Sequence, residues 1–206
     1  MPRIHLFLFG CALSLILLSS CMTTEKKIDI DRLTEEEMRD LSGYWNDIDV
    51  RLAAEHLVQD CSASPAIASF TAKNGRVPVV IVGRIRNQSD EHIDTKILAK
   101  KIENALMNSE KLEFVADSDE RLAIRAERLS QHDFANPETA KQLHNELGAD
   151  FIMLGSIKTI IDSTASVTIR TYYVSAELFD IETAHVIWAG EDSSIKKQIT
   201  RSRYRM

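Results

Sequence analysis

The sequence predicts an α+β fold, in which a small, mostly antiparallel β-sheet is flanked by α-helices. Up to Gly148, most of the chain shows helical periodicity, interrupted by one run of β-branched residues at 77–82. After Gly148 come three long segments rich in β-branched and aromatic residues, joined by short turns. Sequential strands with short connections pair in antiparallel fashion. Helices followed by a strand meander are typical of an α+β domain.

The chain begins with the pattern of a secretory signal. Arg3 precedes a mostly apolar run over residues 6–18, which ends in Leu18-Ser19-Ser20-Cys21. This run is shorter than the about 20 residues that span a bilayer. Leucine three residues before a cysteine and serine immediately before it resemble the lipobox of bacterial lipoproteins. We therefore expect residues 1–20 to be removed and Cys21 to be diacylated, which would leave the protein on a membrane.

Charge and cysteine content narrow the classes of function. The chain carries 25 Lys and Arg against 31 Asp and Glu, so its net charge is −6, and wholesale nucleic-acid binding is not expected. Cys11 leaves with the signal and Cys21 carries lipid, so Cys61 has no cysteine to pair with. Free cysteines are most often small buried hydrophobes, which we expect for Cys61 in place of catalysis.

Helix-start and helix-stop signals define the first three helices. Asn46 or Asp47 caps the first, Ser64-Pro65 begins the second, Gly75 ends it, and Asp94 caps the third. The side chains expected to face the core are Ile48, Leu52, Ala53, Leu57, Ile67, Phe70, Ile97, Leu98, Ile102, Ala105 and Leu106.

Between and after these helices lie two predicted strands. The β-branched run at 77–82 suits a strand covered on both faces, with Pro78 at its beginning because proline lacks an N–H donor. An exposed loop follows at residues 87–92. Residues 112–115 form the second, short strand.

Two more helices are predicted before the meander. Ser118, Asp119 and Glu120 begin the fourth. Its inward residues would be Leu122, Ala123, Ala126 and Leu129, and its outward residues Arg121, Arg125 and Arg128. Asn136-Pro137 begins the fifth, which ends at Gly148 and carries His144 at its margin.

The meander comprises strands at 151–161, 167–181 and 185–191. The domain organisation is then a signal at 1–20, a lipidated cysteine and tether at 21–41, a globular domain at 42–194 and a basic tail at 195–206. The tail contains Lys196, Lys197 and three arginines but no acidic residue. It either contacts an anionic surface or forms a solubilising end.

No catalytic motif is found in the sequence. HExxH, CxxC, GxSxG, the P-loop and GxGxxG are all missing. Ser156 follows a glycine, but a nucleophilic serine needs an activating base that the sequence does not show. The sequence favours a binding module, with no catalytic residues and no metal.

Several short motifs occur in a fixed order between residues 44 and 192. They are Trp45-Asn46, Val79-Val80-Ile81-Val82, Asn87 in the following loop, Ile102-Glu103-Asn104-Ala105-Leu106, Lys111-Leu112-Glu113-Phe114-Val115, Leu147-Gly148-Ala149-Asp150-Phe151-Ile152, Glu182-Thr183 and Val186-Ile187-Trp188-Ala189-Gly190. Together with the lipobox they resemble the LpoB-type lipoproteins that activate penicillin-binding proteins.

This resemblance implies both a fold and a function. The fold would be similar to the amino-terminal domain of TolB. The function would be to bind a bifunctional peptidoglycan synthase, a class A penicillin-binding protein, and to stimulate its glycan polymerisation and peptide crosslinking. Since Met22 stands where lipoproteins retained at the inner membrane typically carry aspartate, the resemblance implies the outer membrane, facing the periplasm. No cofactor is implied, and we expect a monomer.

The resemblance also assigns a partner contact to the loop after the first long strand. The corresponding positions are Asn87, Gln88 and Ser89. The best-known members carry an arginine at the position of Gln88. Enterobacterial members have a long proline-rich tether, whereas residues 22–41 contain no proline.

Two other classes of function remain open from the sequence. An envelope assembly or secretion lipoprotein, related to curli-type secretion components, should form rings. A hydrolase should show a deep pocket lined by a histidine and by carboxylates with shifted pKa values.

Overall fold

The computed structural model describes residue 33, residues 40–143 and residues 146–201. The predicted signal, the lipidation site Cys21 and His144 lie outside these residues.

Four α-helices are described, and three of them begin at the caps that the sequence indicates. They are α1 (Asp47–Ala63), α2 (Pro65–Asn74), α3 (Thr95–Asn108) and α4 (Ser118–Phe134). Asn46 caps α1 through its side-chain oxygen, and the Asp49 carboxylate accepts the Asn46 N–H in return. The Asp94 side chain caps α3 by accepting the Lys96 N–H at 3.0 Å. Gly75 ends α2 in the left-handed conformation, at φ 66°, where glycine has no steric penalty.

The described residues form a six-stranded mixed sheet. Its strands are β1 (Val79–Asn87), β2 (Glu113–Phe114), β3 (Phe151–Ser163), β4 (Val167–Asp180), β5 (Val186–Asp192) and β6 (Lys196–Thr200). The order is β2-β1-β3-β4-β5, and β6 also pairs with β4. β1 is parallel to β2 and β3, whereas β3, β5 and β6 all run antiparallel to β4. The predicted α+β fold with a mostly antiparallel sheet is confirmed.

The core lies between one face of the sheet and the layer formed by α1 and α3. These two helices contact each other, and they pack on β1, β2, β4 and β5. The largest fully buried side chains include Leu57, Leu98, Ile102, Met153 and Tyr172. Burial of each large apolar side chain contributes about 1.5–3 kcal/mol, and this face-on-layer packing holds the sheet in place.

Two side chains that we predicted to face inward are exposed instead. Leu52 is 41% and Ile97 is 53% exposed. The inward stripe of α3 consists of Leu98, Ile102 and Leu106, all 0% exposed, so Ile97 stands about 100° around the helix from it. On α3 only one of the two adjacent apolar residues faces the core, and the neighbouring sheet decides which of them is buried.

The predicted orientation of α4 is wrong. Leu122 and Leu129 are 60% and 55% exposed, whereas Arg121 and Arg128 are half-buried. Arg128 approaches the Glu146 carboxylate at 3.5 Å, so the arginine side of the helix is turned to the chain that follows it. The amphipathic pattern identified the two sides of α4 correctly but not which of them is turned inward.

The fifth predicted helix is also absent from the described residues 137–143 and 146–148. The N–H groups of Thr139 and Ala140 both donate to the Asn136 carbonyl, at 2.9 and 3.0 Å. The capping signal at Asn136-Pro137 therefore produces a single turn, which does not continue as a helix.

The packing of α3 gives a direct test of the core. Replacing buried Ile102 by alanine should lower the free energy of unfolding by about 2–5 kcal/mol, through lost burial and the cavity left behind. The matched change Ile97→Ala, on the same helix, should alter it by less than about 0.5 kcal/mol. Urea unfolding of both variants measures this. Equal losses of stability would contradict the burial of Ile102 in preference to Ile97.

Candidate partner-binding site

The loop that follows β1, at residues 87–91, is held in shape by its own side chains. The Asn87 side-chain oxygen accepts from the Ser89 N–H at 3.0 Å and from the Ser89 hydroxyl at 2.7 Å. The Asn87 side-chain amide donates to the Glu91 carbonyl at 2.7 Å. The polar atoms of Asn87 and Ser89 are thus used inside the loop, where they fix its backbone.

Gln88 occupies a different position in the same loop. Its backbone N–H donates to the Ile157 carbonyl at 2.8 Å, which ties the loop to β3. Its side chain is exposed and has no hydrogen-bond partner among the described residues. Of the three predicted contact residues, Gln88 is therefore the one whose side chain is free to meet a partner.

A buried ion cluster lies beneath the loop. Arg170 of β4 is 8% exposed, and its Nη1 donates to both Asp90 carboxylate oxygens at 2.8 Å and to Glu91 Oε1 at 2.6 Å. Burial would raise the pKa of Asp90, but hydrogen bonding and charge attraction from Arg170 outweigh it and lower that pKa. One arginine therefore fastens the end of the loop to the sheet.

Glu91 also receives two further donors. The Tyr172 hydroxyl donates to its Oε1, and the Trp45 N–H donates to its Oε2 at 2.9 Å. Burial, reinforced by the Glu91 charge, raises the pKa of Tyr172, so this phenol stays protonated and remains a donor. The Glu91 carboxylate is thereby matched by Arg170, Tyr172 and a backbone amide, which satisfies a nearly buried charge.

The chain segment at residues 40–46, here called the N-terminal strap, crosses the same cluster. The Trp45 and Tyr172 rings lie 5.2 Å apart, and the Tyr172 hydroxyl lies 3.4 Å from the Gly43 carbonyl. A Cβ at Gly43 would stand 2.0 Å from the Ile199 side chain. A larger residue at position 43 would require the Ile199 side chain to move, so glycine favours the close approach of the strap to β6.

Lys197 of β6 fastens the strap from the other side. Its Nζ lies 2.6 Å from Asp49 Oδ2, 2.9 Å from Asp40 Oδ1 and 2.8 Å from the Tyr44 carbonyl. Burial raises the pKa of Asp49 despite this lysine, whereas the hydrogen bond from Lys197 lowers the pKa of Asp40. The 6% exposed lysine side chain is buried because two carboxylates compensate its charge.

These contacts revise one reading of the sequence. Residues Lys196–Thr200, which we placed in a basic tail, form a strand that pairs with β4. The sequence also gave a signal for Arg170 that we did not use. Arg170 is in phase with Tyr172, Val174 and Leu178 on β4, and a charge in phase with a buried face indicates an ion pair there.

The remaining candidates for chemistry are built into the fold. Ser156 Oγ lies 3.0 Å from Ser175 Oγ on the neighbouring strand. Cys61 is fully buried, and burial raises the pKa of its thiol to about 12, so the thiol stays protonated. Across the described part of the chain, no three or more His, Cys, Asp and Glu side chains come together as a metal site.

A groove of about 1020 Å³ between β1 and α3 does contain ionisable side chains. It includes His92, and three of the four carboxylates that line it, all except Asp119, have structural partners. Asp94 caps α3, Glu103 lies 2.7 Å from Lys100, and Asp117 caps α4. None of these carboxylates is held next to His92 by a hydrogen bond in the described structure, so the groove does not form an acid–base pair.

A comparison with protein families gives one match. The sequence model of the peptidoglycan-synthase activator LpoB matches residues 49–194. No curated protein matches the chain. Among the described residues, no helix has both the length and the apolar composition that crossing a bilayer requires.

Solved structures similar to the chain share little sequence with it. The LpoB C-terminal domain from Escherichia coli is 16% identical, with a TM-score of 0.40, over 69% of this chain and 96% of that one. The corresponding domain from Salmonella enterica is 15% identical, with a TM-score of 0.38, over 74% and 99%. Lipoprotein GNA1162 from Neisseria meningitidis is 16% identical, with a TM-score of 0.34, over 62% and 87%. The match to the family model is the finding that bears on function.

The ion pairs of Lys197 with Asp40 and Asp49 predict a large difference in stability between variants of two neighbouring lysines. Lys197→Met should lower the free energy of unfolding at pH 7 by about 3–5 kcal/mol, because Asp49 would be left buried without its counter-charge. Exposed Lys196→Met should change it by less than about 0.5 kcal/mol.

The deficit of Lys197→Met should also depend on pH. Burial raises the pKa of Asp49, so its ionised form opposes folding once the lysine is gone. Protonation removes that penalty, and the deficit should shrink as the pH falls from about 7 towards about 4. Urea unfolding at several pH values measures this. Equal stabilities of the two lysine variants would show that the ion pairs of Lys197 do not stabilise the fold.

Proposed function

The chain belongs to the LpoB family of peptidoglycan-synthase activators, and from this we propose that it is an outer-membrane lipoprotein that binds and activates a class A penicillin-binding protein. The match to the family model over residues 49–194 carries the proposal. The lipobox ending at Cys21 and the missing catalytic motifs support it. In this role the protein regulates cell-wall synthesis and is not itself an enzyme.

The activation requires only binding. A synthase that exchanges between a less active and a more active conformation is shifted by any partner that binds the active one more tightly. The protein would supply a rigid surface, with Gln88 presented by a loop that Arg170 and Glu91 fix to the sheet. A fixed loop loses little conformational entropy on binding, so more of the contact energy remains to bias the synthase.

The lipid anchor sets where this surface works. Two or more acyl chains on Cys21 hold a protein firmly on a membrane, whereas one does so only marginally. A tether of some 20 residues spans at most ~70 Å when fully extended and about 25 Å as a flexible coil. The domain would therefore act as a monomer close to the periplasmic face of the outer membrane, and the synthase must reach towards it.

The primary experiment mixes the purified full chain with the cognate synthase. Glycan polymerisation and peptide crosslinking should both increase, with a complex detectable by co-purification. Bovine serum albumin at the same concentration controls for non-specific effects. No complex together with unchanged synthase rates would refute the proposal.

The loop contact is tested by changing Gln88. Gln88→Ala should weaken synthase binding by about fivefold, the equivalent of about 1 kcal/mol for a lost polar contact, with unchanged unfolding stability. Gln88→Arg, which introduces the residue of the best-known members, should bind at least as tightly as the wild type. Gln59→Ala, at an exposed position on α1, is the matched control, and binding unaffected by either Gln88 change would exclude this loop.

The anchor is tested by mass. The mature protein purified from membranes should begin at Cys21 and carry the added mass of its acyl chains. Cys21→Ser should abolish acylation, because serine lacks the thiol that is modified. A wild-type protein that retains residues 1–20 and an unmodified Cys21 would contradict the assignment.

A further inference from the structure

The face of the sheet turned away from α1 and α3 carries exposed apolar side chains at one end. Ile160 and Ile169 are 58% and 41% exposed. Ile160 pairs with Thr171, and Ile169 pairs with Asp162. Cross-strand partners point to the same side of a sheet, and residues two apart on a strand share a face. The two isoleucines are therefore diagonal neighbours on this open face.

Three exposed cations lie on the same face around these isoleucines. Lys158 pairs with Tyr173, Lys196 pairs with Thr171, and Arg86 pairs with Ser156. We call the surface made by Arg86, Lys158, Ile160, Asp162, Ile169, Tyr173 and Lys196 the cationic face. Its three cations outnumber its one carboxylate, that of Asp162, which lies opposite Ile169.

The cations on the two faces of the sheet differ in whether a carboxylate pairs with them. On the covered face, Arg170 and Lys197 are each neutralised by two carboxylates at 2.6–2.9 Å. On the cationic face, none of the three cations has a carboxylate within 4.0 Å among the described residues. The chain as a whole carries a net charge of −6, so an excess of cations sets this part of the sheet apart, and exposed apolar patches with a polar rim mark interaction surfaces.

We propose that the cationic face binds an acidic, partly apolar surface of a protein partner. The inference rests on the proposed function in taking that partner to be the synthase. An apolar centre within a polar, charged rim is the usual anatomy of a protein interface. Around the two isoleucines the cations outnumber the single carboxylate of Asp162, and this local excess favours a partner surface of negative sign. Glu177 and Glu191 lie towards the other end of the same face.

The position of the cationic face favours a protein over a lipid surface. Arg86 directly precedes Asn87, so the face is continuous with the loop that presents Gln88. A loop alone is smaller than the ~800 Å² that each partner of a standard interface buries, and the cationic face supplies the additional area. Three cations would contribute only about 1 kcal/mol each at an anionic bilayer.

Charge reversal in the full chain tests the proposal. Lys158→Glu with Lys196→Glu should weaken binding to the synthase by about tenfold or more, mainly through slower association, and should reduce the dependence of affinity on salt. The matched control is Lys101→Glu with Lys111→Glu, two exposed lysines on α3 and just before β2. It should change the affinity by less than about twofold, since distant exposed charges are screened.

An apolar variant separates packing from charge. Ile160→Thr keeps a β-branched side chain and should weaken binding by a few fold without changing the salt dependence. Urea unfolding of every variant should match the wild type, because the altered side chains are exposed. Binding can then be compared between equally folded proteins.

The outcomes distinguish this inference from the proposed function. If the wild type binds the synthase and the Lys158/Lys196 reversal binds equally well, the cationic face is not the contact, although the proposed function stands. If the wild type does not bind, the proposed function fails and this inference fails with it. Vesicles containing phosphatidylglycerol provide the third arm. A reversal that abolishes vesicle binding but leaves synthase binding intact would assign the face to lipid and overturn the proposal.

Discussion

The buried carboxylate of Glu91 joins parts of the structure that are far apart in sequence. It accepts from Arg170 and Tyr172 on β4 and from the Trp45 N–H in the N-terminal strap. Removing one member of such a cluster leaves a charge buried without its partner, which costs about 3–5 kcal/mol. The loop at residues 87–91 is thus fixed to β4 by ion pairing, in addition to the bond from the Gln88 N–H to β3.

The charged side chains on the two faces of the sheet have different roles. On the covered face, Arg170 and Lys197 hold the loop, the strap and β6 together through their ion pairs. On the open face the cations have no described partner, and their charge is available to another molecule. The protein therefore presents a rigidly held loop beside unpaired cations. Both features suit binding better than catalysis.

The sequence correctly predicted the features that depend on neighbouring residues in the chain. Asn46 and Asp94 cap their helices, Gly75 ends α2, and the β-branched segments after Gly148 form β3, β4 and β5. The errors concern choices that tertiary contacts make. The burial of Lys197 requires Asp40, which lies 157 residues away, so its strand looked like a solvated tail. The resemblance located the loop of Asn87, Gln88 and Ser89. The structure adds that Asn87 and Ser89 form hydrogen bonds within the loop, whereas the Gln88 side chain is exposed.

If a synthase binds the loop at residues 87–91 and the neighbouring open face of the sheet, both should become protected in the complex. Amide hydrogen exchange of the full chain, measured alone and in complex with the synthase, tests this most directly. We expect slower exchange in the complex at residues 88–91 and along residues 158–171, with little change in α1 and α3. Protection confined to α1 and α3, with the loop unchanged, would contradict it.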